Sequence, residues 1–231
     1  MKLLTRSNTK TIKGEKRGYL THILHLAPGN LSGHEVCGKR SDECFKLCLN
    51  TAGCGRFTYT QAARVRKTKW FFENRDSFME TLAKDIASAI RKANRDELTP
   101  VFRLNGTSDI PWESIRVGAH KNIFAMFPDV QFYDYTKAFG RKKIPANYHL
   151  TFSRSESNNE QVLEALRQGM NVAVVFNKLP ETYMGKPVVD GDEDDLRFLD
   201  QRNSIIGLTA KGKAKDISST FVVGSTSLSI H

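Results

Sequence analysis

The chain has 231 residues, of which 39% are hydrophobic and 10% aromatic, and its formal net charge is +10 at pH 7. This composition predicts one globular domain with a full core and excludes an intrinsically disordered chain. No apolar run reaches the ~18–20 residues of a membrane helix, and no signal-peptide h-region is present, so we expect a cytoplasmic protein without a membrane partner. The positive charge favours an anionic partner, most commonly nucleic acid.

Residues 1–17 are basic and weakly patterned, and we expect them to form a flexible N-terminal arm before a single α/β domain over residues 18–231. The first strand is predicted at residues 19–26. A cysteine loop, residues 31–54, follows it and contains a short helix predicted at residues 41–50 with Ser41 or Asp42 as its cap.

Helices and short apolar strands alternate through the rest of the chain. Helices are predicted at residues 61–74, 75–96, 112–127 and 159–168. Strands are predicted at residues 101–104, 130–133, 148–152, 171–176, 188–189, 204–209 and 221–223. This alternation is typical of βα units, and about eight strands favour a partial (β/α) barrel-like fold with a largely parallel sheet.

Polar residues gather directly after the predicted strands, where β/α barrels place their active sites. Asp134 is a candidate proton acceptor or ribose-hydroxyl ligand. Arg154 and Glu156 are candidates for a carboxylate clamp and a general acid or base, or they pair with each other. Asp109 caps the following helix in the structural interpretation and faces the pocket in the catalytic one.

All four cysteines lie within 18 residues, at Cys37, Cys44, Cys48 and Cys54. Cytosolic thiols stay reduced, which favours metal ligation over disulfides. Three thiolates can bind three irons of a [4Fe–4S] cluster and leave the fourth iron open, whereas four thiolates close the site. The alternatives are a structural zinc, with Cys54 or His34 as its fourth ligand, and free thiols.

The cysteine loop, LAPGNLSGHEVCGKRSDECFKLCLNTAGCGRF, resembles that of a bacteriophage family, the "gene product 88" domain. NGTSDIPWE, FYDYTK, YHLTFSRSE and VVDGDEDDLRFLD resemble its later segments, so the resemblance covers most of the chain. It implies three cysteine ligands, Cys37, Cys44 and Cys48, and a different residue type at the position of Cys54.

At a coarser level the arrangement is similar to radical-SAM enzymes, which carry three cluster cysteines after the first strand of a partial β/α barrel. That similarity implies a [4Fe–4S] cluster and S-adenosylmethionine, with Asn105, Gly106 and Ser153 as cofactor-binding residues. The spacing differs, since those enzymes have C-x3-C-x2-C and this chain has C-x6-C-x3-C. Residues 105–109 also stand where those enzymes carry a Gly-Gly-Glu segment.

Basic residues and aromatics are interleaved after the cysteines, a pattern that binds phosphates and stacks bases. The candidate nucleic-acid-binding residues are Arg56, Arg64, Arg66, Lys67 and Lys69, beside Phe57, Tyr59 and Trp70. The alternative is a solvated helix face whose aromatics belong to the core.

The acidic run at residues 190–195 is a candidate magnesium site, with Asp190, Asp192 and Asp195 as ligands. Its alternative is a set of ion pairs that closes a C-terminal hairpin. The motifs of nucleotide kinases, classical dehydrogenases, zincins and α/β hydrolases are absent from the sequence.

The leading hypothesis is an iron–sulfur protein that resembles radical-SAM enzymes and acts on a nucleotide or nucleic acid. The first alternative is a zinc- or cluster-stabilised nucleic-acid-binding protein without catalysis. The second is a magnesium-dependent nuclease. The sequence leaves the oligomeric state open.

Overall fold

A computed structural model describes residues 1–6, 9–215 and 219–224; residues 225–231 of the predicted domain lie outside this part. Its strands are β1 (Leu4–Thr5), β2 (Tyr19–Leu24), β3 (Thr99–Arg103), β4 (Gln131–Thr136), β5 (Tyr148–Ser153), β6 (Val172–Phe176), β7 (Thr182–Tyr183), β8 (Lys186–Asp190) and β9 (Ile205–Thr209). Its helices are α1 (Thr9–Glu15), α2 (Asp42–Lys46), α3 (Thr58–Glu73), α4 (Arg75–Arg95), α5 (Ile123–Met126) and α6 (Asn159–Arg167).

All nine strands form one sheet in the order β1-β2-β3-β4-β5-β6-β9-β8-β7. Every neighbouring pair from β2 to β8 is parallel, and the short strands β1 and β7 pair antiparallel at the two edges. The predicted α/β fold with a largely parallel sheet is therefore confirmed. The sheet stays open and does not close into a barrel.

One face of the sheet packs against helices. α4 is amphipathic, with Phe78, Leu82 and Ile86 buried at helical spacing. These side chains share one core with Phe102 of β3 and Phe132 of β4. Further along the same face, Val162, Ala165 and Leu166 of α6 pack in a second core with β5 and β6.

The opposite face is covered by residues 191–203, which we call the cover segment. Leu196 and Phe198 pack there against Val101 and Tyr133 of the sheet. The same segment carries buried ion pairs: Asp195 to Arg103 of β3 at 2.6 Å, and Arg197 to Asp194 and Asp200 at 3.1 and 3.2 Å. The acidic run is therefore part of a packed layer.

The N-terminus differs from the predicted flexible arm. Leu4 pairs with Leu24 of β2, and Leu3 and Leu4 are both buried. Asp85 of α4 accepts the backbone N–H of Leu3 at 2.7 Å. A two-residue strand carries no periodicity, which is why the pattern of the sequence does not reveal it.

The helix predicted at residues 112–127 is wrong. A 3₁₀ turn (Trp112–Ser114), a bridge between Val117 and His120, and the four-residue α5 replace it. Asn122 caps α5 by accepting the N–H of Ala125 at 2.9 Å, and it donates to Glu113 O at 3.0 Å. These tertiary side-chain bonds compete with helix formation across the segment.

Two smaller differences concern the C-terminal third. In place of a strand at residues 221–223, Val223 forms a single parallel bridge with Phe176. The hairpin strand β7 was not predicted. No helix in the described part of the chain is long and apolar enough to cross a membrane.

Candidate thiol site at the carboxyl edge of the sheet

Three half-buried cysteines, Cys37, Cys44 and Cys48, lie in the loop that follows β2, and we call them the thiol set. The Cys37 thiol donates to Thr107 O, beyond the end of β3, at 3.8 Å. Cys44 lies in α2, and Cys48 starts the 3₁₀ turn Leu49–Thr51. Cys54 is exposed.

Two of the three thiols have a raised pKa, and other members of the set contribute to it. Burial, with the charges of Cys48, Asp109 and Cys44, raises the pKa of Cys37 to about 12, although a backbone hydrogen bond with Gly29 lowers it. Burial likewise raises the pKa of Cys48. Cys44 raises that pKa further, whereas a backbone hydrogen bond with Asn50 and the charges of Arg64 and Lys137 lower it. Cys37 and Cys48 are therefore protonated at neutral pH, and holding these two as thiolates requires a positive charge.

Polar contacts hold the cysteine loop in place. Ser41 accepts the N–H of Cys44 at 3.2 Å and donates to Glu156, beyond β5, at 2.8 Å. Glu35 accepts the N–H of Cys37 at 2.7 Å. Gly29 has a φ of +56°, and a Cβ there would lie 2.5 Å from the ring of Phe45. The loop is thus tied to the ends of the parallel strands.

The predicted site residues after β3 and β5 meet at this same edge, together with Lys137, which follows β4. Lys137 donates its backbone N–H to Asp109 at 2.8 Å and its ammonium to Ser153 Oγ at 2.8 Å. Arg154 donates to the carbonyls of Thr220 and Phe221 at 2.8 and 2.9 Å, so it anchors the C-terminal segment. Asp109, Ser153, Arg154 and Glu156 are thus gathered beside the cysteine loop.

A cleft of about 480 Å³ opens beside Cys37. Its lining comes from three parts of the chain: Glu35, Val36, Gly38 and Lys39, which flank Cys37 in the cysteine loop; Phe71, Phe72 and Arg75; and Asp109, Ile110, Pro111, Ser114 and Ile115. His34 stacks on Phe72 with ring centroids 4.4 Å apart. The volume is within the range of small-molecule sites.

Two predicted site residues, Asp134 and Asn105, lie inside the protein, and Gly106 beside Asn105 is half-buried. Asp134 is fully buried and accepts the N–H groups of Leu104 and Asn105 and the hydroxyl of Tyr148, at 3.2, 2.9 and 3.0 Å. Burial raises the pKa of Asp134 to about 7, although Arg103 and these hydrogen bonds lower it. These contacts hold the end of β3 in place. The buried Asp134 carboxylate is not exposed to the cleft.

Asn105 and Gly106 also shape the turn after β3. Asn105 Oδ1 accepts from the backbone of Ile110 and the indole of Trp112, at 2.9 and 3.0 Å. A Cβ on Gly106 would lie 2.5 Å from Ile23, so the two strand ends approach closely only with glycine here.

The predicted basic set is divided between the interior and the surface. Lys67 is buried and donates to Leu3 O at 2.6 Å, and Arg64 donates to Asn50 Oδ1. Arg56, Arg66 and Lys69 are exposed. Only these last three can meet a large anionic partner.

The predicted acidic ligands are already paired. Asp195 binds Arg103, Asp192 pairs with Lys211 at 2.7 Å, and Asp190 accepts the N–H of Asp192 at 2.7 Å. Among the described residues, no three His, Cys, Asp or Glu side chains stand ready around one ion. By donor chemistry the thiol set is the best fit for a soft metal centre, because its three thiols share one loop and Cys44 and Cys48 both lie close enough to Cys37 to raise its pKa.

Sequence reasoning overlooked two contributors to the site. Thr107 accepts from Cys37, and Ser41 links α2 to Glu156 across 115 residues of chain. Their positions after a strand and before a helix are visible in the sequence, but pairings over such separations are not.

The fold and the site define an open, largely parallel α/β protein with a three-thiol loop at the carboxyl edge of its sheet. Residues 2–224 match the sequence profile described as Gene product 88, and the chain belongs to this bacteriophage gene-product family. No curated protein and no solved structure shows detectable similarity to the chain.

Proposed function

We propose that the chain is an iron–sulfur protein in which Cys37, Cys44 and Cys48 hold a [4Fe–4S] cluster. The observation that carries the proposal is the thiol set itself, three half-buried thiols from one loop, with Cys54 exposed outside the set. Cys44 and Cys48 both lie close enough to Cys37 to raise its pKa. When bound, such a cluster supplies electrons and an open iron for a substrate or cofactor.

In this proposal, the residues around the thiol set supply positive charge or hold the cysteine loop in position. Lys137 and Arg64 supply positive charge near Cys48 and so favour its thiolate. Ser41, held by Glu156, orients α2 and with it Cys44. Arg154 holds the C-terminal segment at the carboxyl edge of the sheet. Ser41, Glu156 and Arg154 are positioning residues.

The cleft beside Cys37 is the proposed cofactor or substrate site. Its apolar floor of Phe71 and Phe72 suits a flat ring, and Asp109 at its margin can accept hydrogen bonds from hydroxyl or amino groups. S-adenosylmethionine, by analogy with radical-SAM enzymes, is the proposed occupant. The charge of +10 favours a nucleotide or nucleic acid as substrate, and reduced thiols suit the cytoplasm of the host.

Anaerobic purification and reconstitution test the proposal. We expect brown protein that absorbs at about 400 nm and contains about four irons and four sulfides per chain. Cys37→Ser, Cys44→Ser and Cys48→Ser each lose iron and sulfide, whereas the matched control Cys54→Ser keeps both.

Other outcomes separate the alternatives. Stoichiometric zinc without sulfide would overturn the iron–sulfur centre in favour of a zinc-stabilised protein. A loaded cluster that does not cleave S-adenosylmethionine with dithionite would overturn the radical-SAM analogy and leave the cluster in place.

A further inference from the structure

Two aromatic rings stand side by side in solvent where α3 begins. Phe57 is 39% exposed and Tyr59 is 71% exposed. Their rings are nearly parallel, with centroids 5.6 Å apart and an interplanar angle of 8°, and the Arg56 guanidinium lies 5.4 Å from the Phe57 ring centre. Exposed apolar groups that are stacked together mark interaction sites more often than isolated ones do.

The local sequence is unfavourable for the helix alone. Phe57 occupies the N-cap of α3 and makes no side-chain capping bond there. Ser, Thr, Asp or Asn at this position stabilises a helix relative to an apolar residue. A phenylalanine that is 39% exposed at a cap position goes against the local folding preference, as residues kept for binding do.

The stretch of chain that carries the rings has charges of one sign. From Cys44 to Phe72 the sequence contains six Lys or Arg residues and no Asp or Glu. Tyr59, Arg66 and Lys69 are all exposed and lie on one side of α3, at spacings of seven and three residues. This stripe runs about 15 Å along the helix, at 1.5 Å per residue.

We propose that this surface, the aromatic platform of Arg56, Phe57, Tyr59, Arg66 and Lys69, binds single-stranded nucleic acid. Bases stack on the two rings, and phosphates meet the three cations. A duplex does not suit the platform, because its bases are stacked on each other and hide their faces. Arg56, the first residue of the platform, follows Cys54 by two residues, so a strand bound to the platform lies beside the cysteine loop.

This inference deepens the proposed function by naming single-stranded nucleic acid as its substrate class. Only the reaction on that strand rests on the proposed function. Binding itself uses none of the cysteines. The two ideas can therefore fail separately.

The test uses the full chain and fluorescence anisotropy with a fluorescein-labelled oligothymidylate, beside a duplex of equal length. Phe57→Ala with Tyr59→Ala should weaken single-strand binding by about tenfold or more, from a stacking contribution of about 1–3 kcal/mol per base. Each of Arg66→Gln and Lys69→Gln should lower the slope of log K against log salt by about 0.7, while the aromatic variant keeps the slope.

Matched controls lie on other helices. Leu163 of α6 is 45% exposed and Lys84 of α4 is exposed, so Leu163→Ala and Lys84→Gln should leave both affinity and slope unchanged. All these positions are on the surface, and melting temperatures should stay within a few degrees of the wild-type value.

Wild-type affinity in the aromatic double variant, or a duplex bound as tightly as the single strand, overturns the platform. Iron and sulfide content separates this failure from that of the cluster. Platform variants keep the wild-type content, and Cys37→Ser keeps oligothymidylate binding if the platform is correct.

Discussion

Asp134 shows how a polar residue at a strand end can belong wholly to the fold. It receives two backbone N–H groups and the Tyr148 hydroxyl, and Arg103 lies 4.0 Å away. Asp134→Ala should destabilise the protein by about 3–5 kcal/mol in urea unfolding, because it leaves buried donors unpaired. Asp129→Ala, on the exposed turn before β4, is the control. An Asp134→Ala variant of wild-type stability would mean that the carboxylate serves another role.

His22 makes stability depend on pH. It is 4% exposed, stacks on Phe102, and burial lowers its pKa from 6.5 to about 4. The unfolded chain therefore binds a proton below pH 6.5 that the folded chain refuses until about pH 4, so stability is lost as the pH falls through this window.

His22→Phe isolates this effect. The loss of stability between pH 7.5 and pH 5 should be about 2 kcal/mol smaller in the variant than in the wild type, measured by urea unfolding at both pH values. The remaining histidines act equally in both proteins and cancel in the difference. Parallel pH profiles would show that His22 has the same pKa in the folded and unfolded chains.

At the scale of elements, α2 is too short to be stable without its contacts. Ser41→Ala removes the N-cap and the bond to Glu156, and it should cost about 1 kcal/mol. If Cys44 is a ligand, the same change also hastens loss of iron on exposure to air or chelator. Ser41→Thr keeps the hydroxyl and should behave as the wild type. Equal iron loss in Ser41→Ala and wild type would separate α2 from the metal centre.

Elements with strong internal patterns were predictable. The apolar stripe of α4 and the Ser41 cap of α2 are both visible in the sequence and present in the structure. The helix expected at residues 112–127 failed because Asn105 and Asn122 draw that segment into tertiary hydrogen bonds. Such competition depends on residues that meet only after folding.

The sequence predicts the candidate site about as well as it predicts the elements of the fold. The rule that parallel strands end at one edge correctly places Asp109, Ser153, Arg154 and Glu156 beside the cysteine loop. The rule does not say which side chains of a strand turn into the core. It therefore also selects Asp134, although this side chain is buried in the core and its neighbours Tyr133 and Tyr135 face the other side of the sheet. In the same manner, helical position alone does not separate buried Lys67 from exposed Lys69.

At the scale of the whole molecule, the cover segment joins the C-terminal third to the first strands. Arg197 is 1% exposed and pairs with Asp194 and Asp200. Arg197→Ala should cost about 3–5 kcal/mol, because the half-buried Asp200 loses its ion pair and the buried Asp194 is left with its ion pair to Arg17. Lys213→Ala, on the exposed surface, is the control. A small effect of Arg197→Ala would indicate that water replaces the guanidinium.

The same ion pairs give an expectation for divalent cations. Arg103 and Lys211 already neutralise Asp195 and Asp192, so millimolar Mg²⁺ should leave the melting temperature unchanged. A rise with Mg²⁺ that Asp192→Asn abolishes would revive the nuclease alternative.

The two outer strands have a further consequence for the protein in concentrated solution. An open sheet presents unpaired backbone groups at each side, and long flat borders recruit strands from neighbouring molecules. Here each border is a two-residue antiparallel strand, Leu4–Thr5 or Thr182–Tyr183. Each of these strands offers a neighbouring molecule a ladder of only two residues, so we expect them to recruit further strands poorly although the sheet is not closed.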